Sequence, residues 1–145
     1  MTSPVFKFPK PVEKDITLVI VSFNTREILL RCLGSIIKHT QEVSYEVIIV
    51  DNASEDGTVE AVIELFPEVE VIANEDNRGF STANNQGIVA SKGRRVALLN
   101  PDTLLTENSF KKIKNFMEEH PEFSILGTGI VDENNQPCPI RLWED

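Results

Sequence analysis

Val47-Ile48-Ile49-Val50-Asp51-Asn52-Ala53-Ser54-Glu55-Asp56-Gly57-Thr58 passes from an unbroken β-branched run into a polar turn and then into an acidic helix start. Such a run reads as a strand buried on both faces, the signature of a parallel sheet. Ser54 followed by Glu55 and Asp56 reads as a cap with an acidic first turn. The helix it opens runs through Val59, Val62, Ile63 and Phe66, and Pro67 stops it.

The same unit recurs along the chain. Upstream, Ile16 to Val21 is a second β-branched run, and Asn24 with Glu27 three residues on forms a capping-box pattern. The helix after it carries the stripe Ile28, Leu29, Cys32, Leu33, Ile36 and Ile37. Downstream, Val69–Ile72 and Arg95–Leu99 read as strands. Ser81 opens a weaker helix through Ala83 and Ile88, and Thr106 opens one through Phe110, Ile113, Phe116 and Met117. A strand over Ser124–Val131, a turn at Asp132–Asn135 and a short return strand are expected at the end. Residues 1–14, with three prolines, read as an extended lead, and 15–145 as one domain. Strict alternation of strand and helix predicts an α/β, Rossmann-like, mostly parallel sheet flanked by helices.

The totals exclude several classes. At 145 residues the chain holds one domain with a real core, and a net charge of −9 argues against nucleic acid or anionic lipid as the main partner. Cys32 and Cys138 have neither metal-ligand nor disulfide-framework spacing, so both are expected as free thiols in a cytoplasmic setting. His39 and His120 fall at helix ends, where the dipole suits them. Neither G-x-G-x-x-G after the first strand nor a P-loop is present, and the start has no apolar signal-peptide core.

In sheets of this class ligands bind beyond the carboxyl ends of the strands. Here those ends are Ser22-Phe23-Asn24, Asp51-Asn52-Ala53-Ser54, Asn74-Glu75-Asp76-Asn77-Arg78-Gly79 and Asn100-Pro101-Asp102. Each alone is ordinary turn chemistry; together they place amides and carboxylates along one rim. Without a glycine-rich phosphate loop, an anionic ligand on that rim calls for a divalent cation, held by one or two carboxylates and the ligand's phosphates.

VIVSFN, VIIVDNASEDGT, NEDNRGFSTANNQGI and ALLNPDTLL, in this order, resemble the family-2 glycosyltransferases of the GT-A fold, most closely the rhamnosyltransferase-like bacterial type with N-P-D in place of D-x-D. The resemblance runs from about Ile16 to the end of the chain. It implies hexosyl or rhamnosyl transfer, with inversion, from a UDP- or dTDP-linked sugar to a glycan or lipid-linked acceptor in polysaccharide or cell-wall synthesis. Ser22, Phe23 and Asn24 match the segment around the base, Phe23 being suited to stacking. Asp51, with Asn52 beside it, matches the carboxylate that accepts from base or ribose. Arg78 and Gly79 lie beneath the donor, and Asn85 would help fix the loop beside the metal-site strand. Asn84 stands where many relatives carry arginine, so Arg78 or the metal takes more of the diphosphate charge. Asn100 and Asp102 match the ends of the D-x-D-type motif, with Asp102 the ligand of Mg²⁺ or Mn²⁺. The general base is expected in an acceptor-binding half beyond this chain; Glu144-Asp145 comes too early for it. The expectation is therefore a truncated, donor-binding portion, with membrane-surface association, if any, through the missing half. The alternative is a sugar-nucleotide-binding or assembly module without the base.

Overall fold

The computed structural model describes residues 14–132, 134 and 136–138. Residues 1–13 of the N-terminal lead, Glu133 and Asn135 of the expected turn, the return strand beyond Cys138 and the Glu144-Asp145 pair lie outside the described residues. The chain divides into a unit ending at Lys114 and a second beginning at Asn115.

The element order is β1 (Lys14–Ser22), α1 (Arg26–His39), β2 (Tyr45–Asp51), α2 (Thr58–Leu65), β3 (Glu70–Ala73), α3 (Phe80–Ala90), β4 (Gly93–Leu99) and α4 (Ser109–Glu119). The strands form one sheet in the order β3-β2-β1-β4, and every pairing is parallel. The register sets Ser22 beside Asp51, and Asp51 beside Ala73, so the polar strand ends share one edge.

Alternation along the strands builds two cores. Ile16, Leu18, Ile20, Val47 and Ile49 pack with Leu29, Cys32, Leu33 and Ile36 of α1, Val62 of α2 and Phe110 of α4. The intervening Val19, Val21, Ile48 and Val50 pack with Ala83 of α3 on the other face. The connections through α1 and α2 step one way across the sheet, whereas that through α3 reverses to reach β4. A constant crossover hand then requires α3 to lie on the opposite face, where it is found.

Several sequence expectations are corrected. Asn24 does not cap α1: the N-cap is Thr25, without a side-chain cap bond. Ser54 does not cap α2, whose N-cap is Gly57 at φ 76°. α3 begins at Phe80 and α4 at Ser109. β4 is not buried on both faces. Among the described residues it is an edge strand, and α3 packs against β1 and β2, leaving Val96 and Leu98 38% and 53% exposed. Of the α1 stripe, Ile28 and Ile37 are exposed. In the second unit, Ser124–Val131 is not a strand; pairing there is an isolated antiparallel bridge between Val131 and Pro137. That unit also clusters the rings of Phe116, His120 and Phe123. Among the described residues no helix is long and apolar enough to cross a membrane.

Candidate functional site

The order β3-β2-β1-β4 reverses between β1 and β4, and a doubly wound sheet leaves a crevice beyond the carboxyl ends of its strands at such a point. A cleft of about 450 Å³ lies there. Val21, Phe23, Thr25 and Ile28 form the wall from β1 and the start of α1. Asn52 comes from β2, Asn77 and Phe80 from the entry to α3, and Asn100, Pro101 and Asp102 from the end of β4. A groove of about 490 Å³ at the opposite end of the strands, between Ile37, Tyr45, Leu65 and Phe66, is mainly apolar. Its polar lining is Tyr45, Glu46 and Glu68 at the amino ends of the strands, so the cleft at the carboxyl ends is the stronger candidate.

Each wall has a local cause. Asn100 O accepts the Thr103 N–H at 3.1 Å, closing a turn with Pro101 at its second position, where a fixed φ near −65° fits. That turn leaves Asn100 and Asp102 exposed on the lip. Beneath it, the Cys32 thiol points at Asn100 O, 4.0 Å away. Burial, and then the Asp102 charge, push this thiol up to about 11, so it is an inert member of the core beneath the turn. Opposite, Gly79 has φ 78°, a conformation that favours glycine; a Cβ there would touch nothing within 4 Å. Its N–H is held by Asn77 Oδ1 at 3.0 Å, and the turn places Phe80, 59% exposed, at the cleft.

Side-chain amides brace the wall from behind. Asn74 and Gln86 exchange reciprocal hydrogen bonds of 2.9 and 2.8 Å. Asn74 Nδ2 also donates to Asn52 Oδ1 at 2.9 Å, and Asn52 Nδ2 donates to Gly79 O at 3.4 Å. The ends of β2 and β3 are thereby tied to the entry of α3. Sequence reading named Asn52 but not Asn74, Gln86 or Phe80 as site residues. An aromatic directly after a turn glycine was the available signal for Phe80; the amide ladder joins segments too far apart in the chain to leave one.

The other expected site residues fall as follows. Ser22 is buried, and its hydroxyl shares a 3.0 Å hydrogen bond with that of Thr25. Asn24 is exposed at φ 52°, and its Oδ1 accepts the Glu55 N–H at 2.8 Å. Asp51 is 1% exposed and does not line the cleft. Its carboxylate accepts the Ser54 hydroxyl at 2.6 Å and the Ser54 N–H at 2.8 Å. Arg78 donates to Asp76 at 3.0 Å and is likewise off the cleft wall. On α3, Asn85 is exposed, whereas its neighbour Asn84 is buried and donates to Phe80 O at 3.0 Å. The structure thus brings Phe23, Asn52, Asn100 and Asp102 together, with Ser22, Asn24 and Gly79 supporting them.

The donor set on the lip is Asp102 and Asn100, oxygen ligands suited to a hard cation. Among the described residues no three His, Cys, Asp or Glu side chains gather as a metal cluster. One carboxylate fits a cation completed by ligand phosphates and water, not an ion held by protein alone.

Comparison with known proteins gives concordant findings. The family model for Glycosyl transferase family 2 matches residues 17–142. Succinoglycan biosynthesis protein ExoO of Rhizobium meliloti (strain 1021) is 32% identical over 108 residues, covering 72% of this chain and 31% of that protein. The crystal structure of S. aureus TarS 1–349 in complex with UDP superposes with a TM-score of 0.67 at 22% identity, over 74% of this chain and 33% of that one. The mannosyltransferase PcManGT from Pyrobaculum calidifontis, in complex with GDP-Man and Mn²⁺, gives 0.60 at 24% identity, over 74% and 35%. The fold is the GT-A arrangement. The chain spans about a third of the length of these proteins.

Proposed function

The chain belongs to glycosyl transferase family 2, and on that premise we propose that it is the donor-binding portion of an enzyme using a UDP- or dTDP-linked sugar. The acceptor is a glycan or a lipid-linked saccharide, transfer proceeds with inversion, and the whole enzyme serves cytoplasmic polysaccharide or cell-wall synthesis. The observation that carries this reading is the cleft at the β1–β4 switch point, where aromatic walls, amides and one exposed carboxylate converge. Relatives named for polysaccharide and teichoic acid synthesis, and a neighbour that binds UDP, support it.

In this reading Phe23 and Phe80 offer ring faces to the base, while Asn52 and Asn100 supply donors and acceptors to base and ribose. Asp51 is the acceptor for a uracil or thymine N–H. A carboxylate has about four lone-pair sites; Ser54 uses two, which leaves acceptor capacity on Asp51. Asp102 would hold Mg²⁺ or Mn²⁺, with Asn100 beside it. When bound, that cation supplies Lewis-acid stabilisation of the departing diphosphate. Arg78 lends further positive charge, because its exposed pair with Asp76 contributes only about 0–1 kcal/mol and is readily exchanged for a phosphate.

Calorimetry with UDP and dTDP, in Mn²⁺ and in EDTA, tests the proposal. Binding that requires Mn²⁺ is expected. Equal affinity in EDTA would remove the metal from the account, and failure of both nucleotides to bind would remove the cleft.

A further inference from the structure

Asn24 and Ser54 both face away from the helices they precede, and toward each other. The Asn24 N–H donates to Ser54 Oγ at 2.8 Å, and the Glu55 N–H donates to Asn24 Oδ1 at 2.8 Å. One turn further on, the Arg26 N–H donates to Asp56 Oδ2 at 3.0 Å. The loops after β1 and β2 are therefore stapled at three points, across some thirty residues of sequence. The staple is anchored below, since Ser54 gives its own proton to Asp51 Oδ1 at 2.6 Å and its N–H to Asp51 Oδ2 at 2.8 Å.

Two features show that this arrangement is specified. Asn24 and Ala53 both lie at positive φ, 52° and 63°. Asparagine visits that region at little cost, whereas alanine there is strained. The left-handed conformation at Ala53 leads into Ser54, whose N–H and hydroxyl both return to Asp51. Second, the Ser54 hydroxyl must accept from Asn24 while donating to a charged group. That double role belongs to a hydroxyl, and the charge at its far end strengthens the chain of bonds.

The staple sits directly behind a cleft wall. Phe23, 48% exposed, precedes Asn24, and Thr25 follows it; both line the cleft. With Asn24 fixed on one side and Ser22 buried on the other, the Phe23 backbone has little freedom. We propose that Ser54 is a positioning residue: it conveys the Asp51 charge to the β1–α1 loop and so sets the Phe23 wall against which a nucleobase stacks. This rests on the donor reading for the identity of the ligand, though the staple itself does not. No atom of Ser54 need touch the ligand.

The experiment uses Ser54→Ala, Ser54→Thr and Phe23→Ala in the whole 145-residue chain, with two readouts. Amide exchange on the free protein reports the staple. Slowed exchange at Asn24 and Glu55 is expected in wild type and Ser54→Thr, and faster exchange at both in Ser54→Ala, with the β1 and β2 amides unchanged. Unaltered exchange at Asn24 in Ser54→Ala would overturn the proposal whatever the ligand. Calorimetry with UDP and Mn²⁺ reports the wall. Ser54→Ala should weaken binding about tenfold, the scale of one lost charge-assisted bond, and Ser54→Thr should restore it to within about threefold. In the Phe23→Ala background, Ser54→Ala should cost almost nothing more, because a residue that acts through Phe23 has nothing left to act on. Additive losses would overturn the positioning role. If wild type does not bind UDP, the donor reading fails, and exchange at Asn24 still decides the staple.

Discussion

Substituting Gly87 by alanine tests the packing that holds α3, and with it Phe80, against the sheet. A Cβ at Gly87 would stand 2.3 Å from Val19 Cγ1, 3.0 Å from Cγ2 and 3.3 Å from Cβ. Val19 is fully buried on β1 and faces α3. Its branched side chain is stiff at χ1 and cannot rotate out of the way, so the helix must lift. Overpacking of this kind costs about 1–3 kcal/mol, and the contact with a rigid branch places it in the upper half of that range. Alanine's better helix propensity returns about 1 kcal/mol. The net expectation is a loss of roughly 1–2 kcal/mol, or about 5 °C in Tm for a chain of this size. Thermal melts of Gly87→Ala, Val19→Ala and the double variant are the assay. In the Val19→Ala background the new methyl enters vacated space, so Gly87→Ala should be neutral or stabilising there. A single Gly87→Ala variant that melts at or above wild type would refute the close approach of α3 to β1.

Asp102→Asn should lose the metal dependence of nucleotide binding in calorimetry while its melting temperature stays within about 2 °C of wild type, because exposed side chains contribute little to stability; unfolding of the variant would make Asp102 a structural turn residue. Ala53→Gly should raise stability by about 1 kcal/mol in chemical denaturation, relieving alanine's strain at φ 63°, and a loss would show that this loop carries no strain. Asp15 is held at about 2 by hydrogen bonds from the Ser44 N–H, Lys114 and the Ser44 hydroxyl. Its folded pKa is below its unfolded value, so its contribution is complete above about pH 4 and disappears as pH falls through 2. Asp15→Asn should therefore flatten the acid limb of the stability curve by about 1 kcal/mol, reduced from the full shift by solvent screening, and an unchanged limb would contradict the assignment.

The strands were legible because runs such as Ile16–Val21 and Val47–Val50 satisfy both faces of a parallel sheet at once. Their order was legible only as a class, since β4 joining β1 on the far side from β2 is a tertiary outcome. The caps were misread for one physical reason. Asn24 and Ser54 are ordinary capping residues, but each side chain serves the other loop, and a pairing across thirty residues leaves no local pattern. β4 was overread because its apolar run also serves an uncovered face at Val96 and Leu98. Ser124–Val131 has strand-like composition, but among the described residues only Val131 finds a partner, in the bridge to Pro137. The polar rim was read correctly as a rim. Which members face the cleft was not legible, because burial of Asp51 beneath Ser54 and the surface pairing of Arg78 with Asp76 depend on loop geometry.

The central claim is that a nucleoside diphosphate binds at the β1–β4 switch point. Backbone amide shifts recorded during titration of the ¹⁵N-labelled chain with UDP and Mg²⁺ test it most directly. The account predicts that the largest changes map to Val21–Ile28, Asp51–Ser54, Asn77–Phe80 and Asn100–Asp102, with Tyr45 and Leu65–Val69 at the other end of the strands unmoved. Shifts confined to Tyr45, Leu65 and Phe66, or none at saturating UDP, would contradict it.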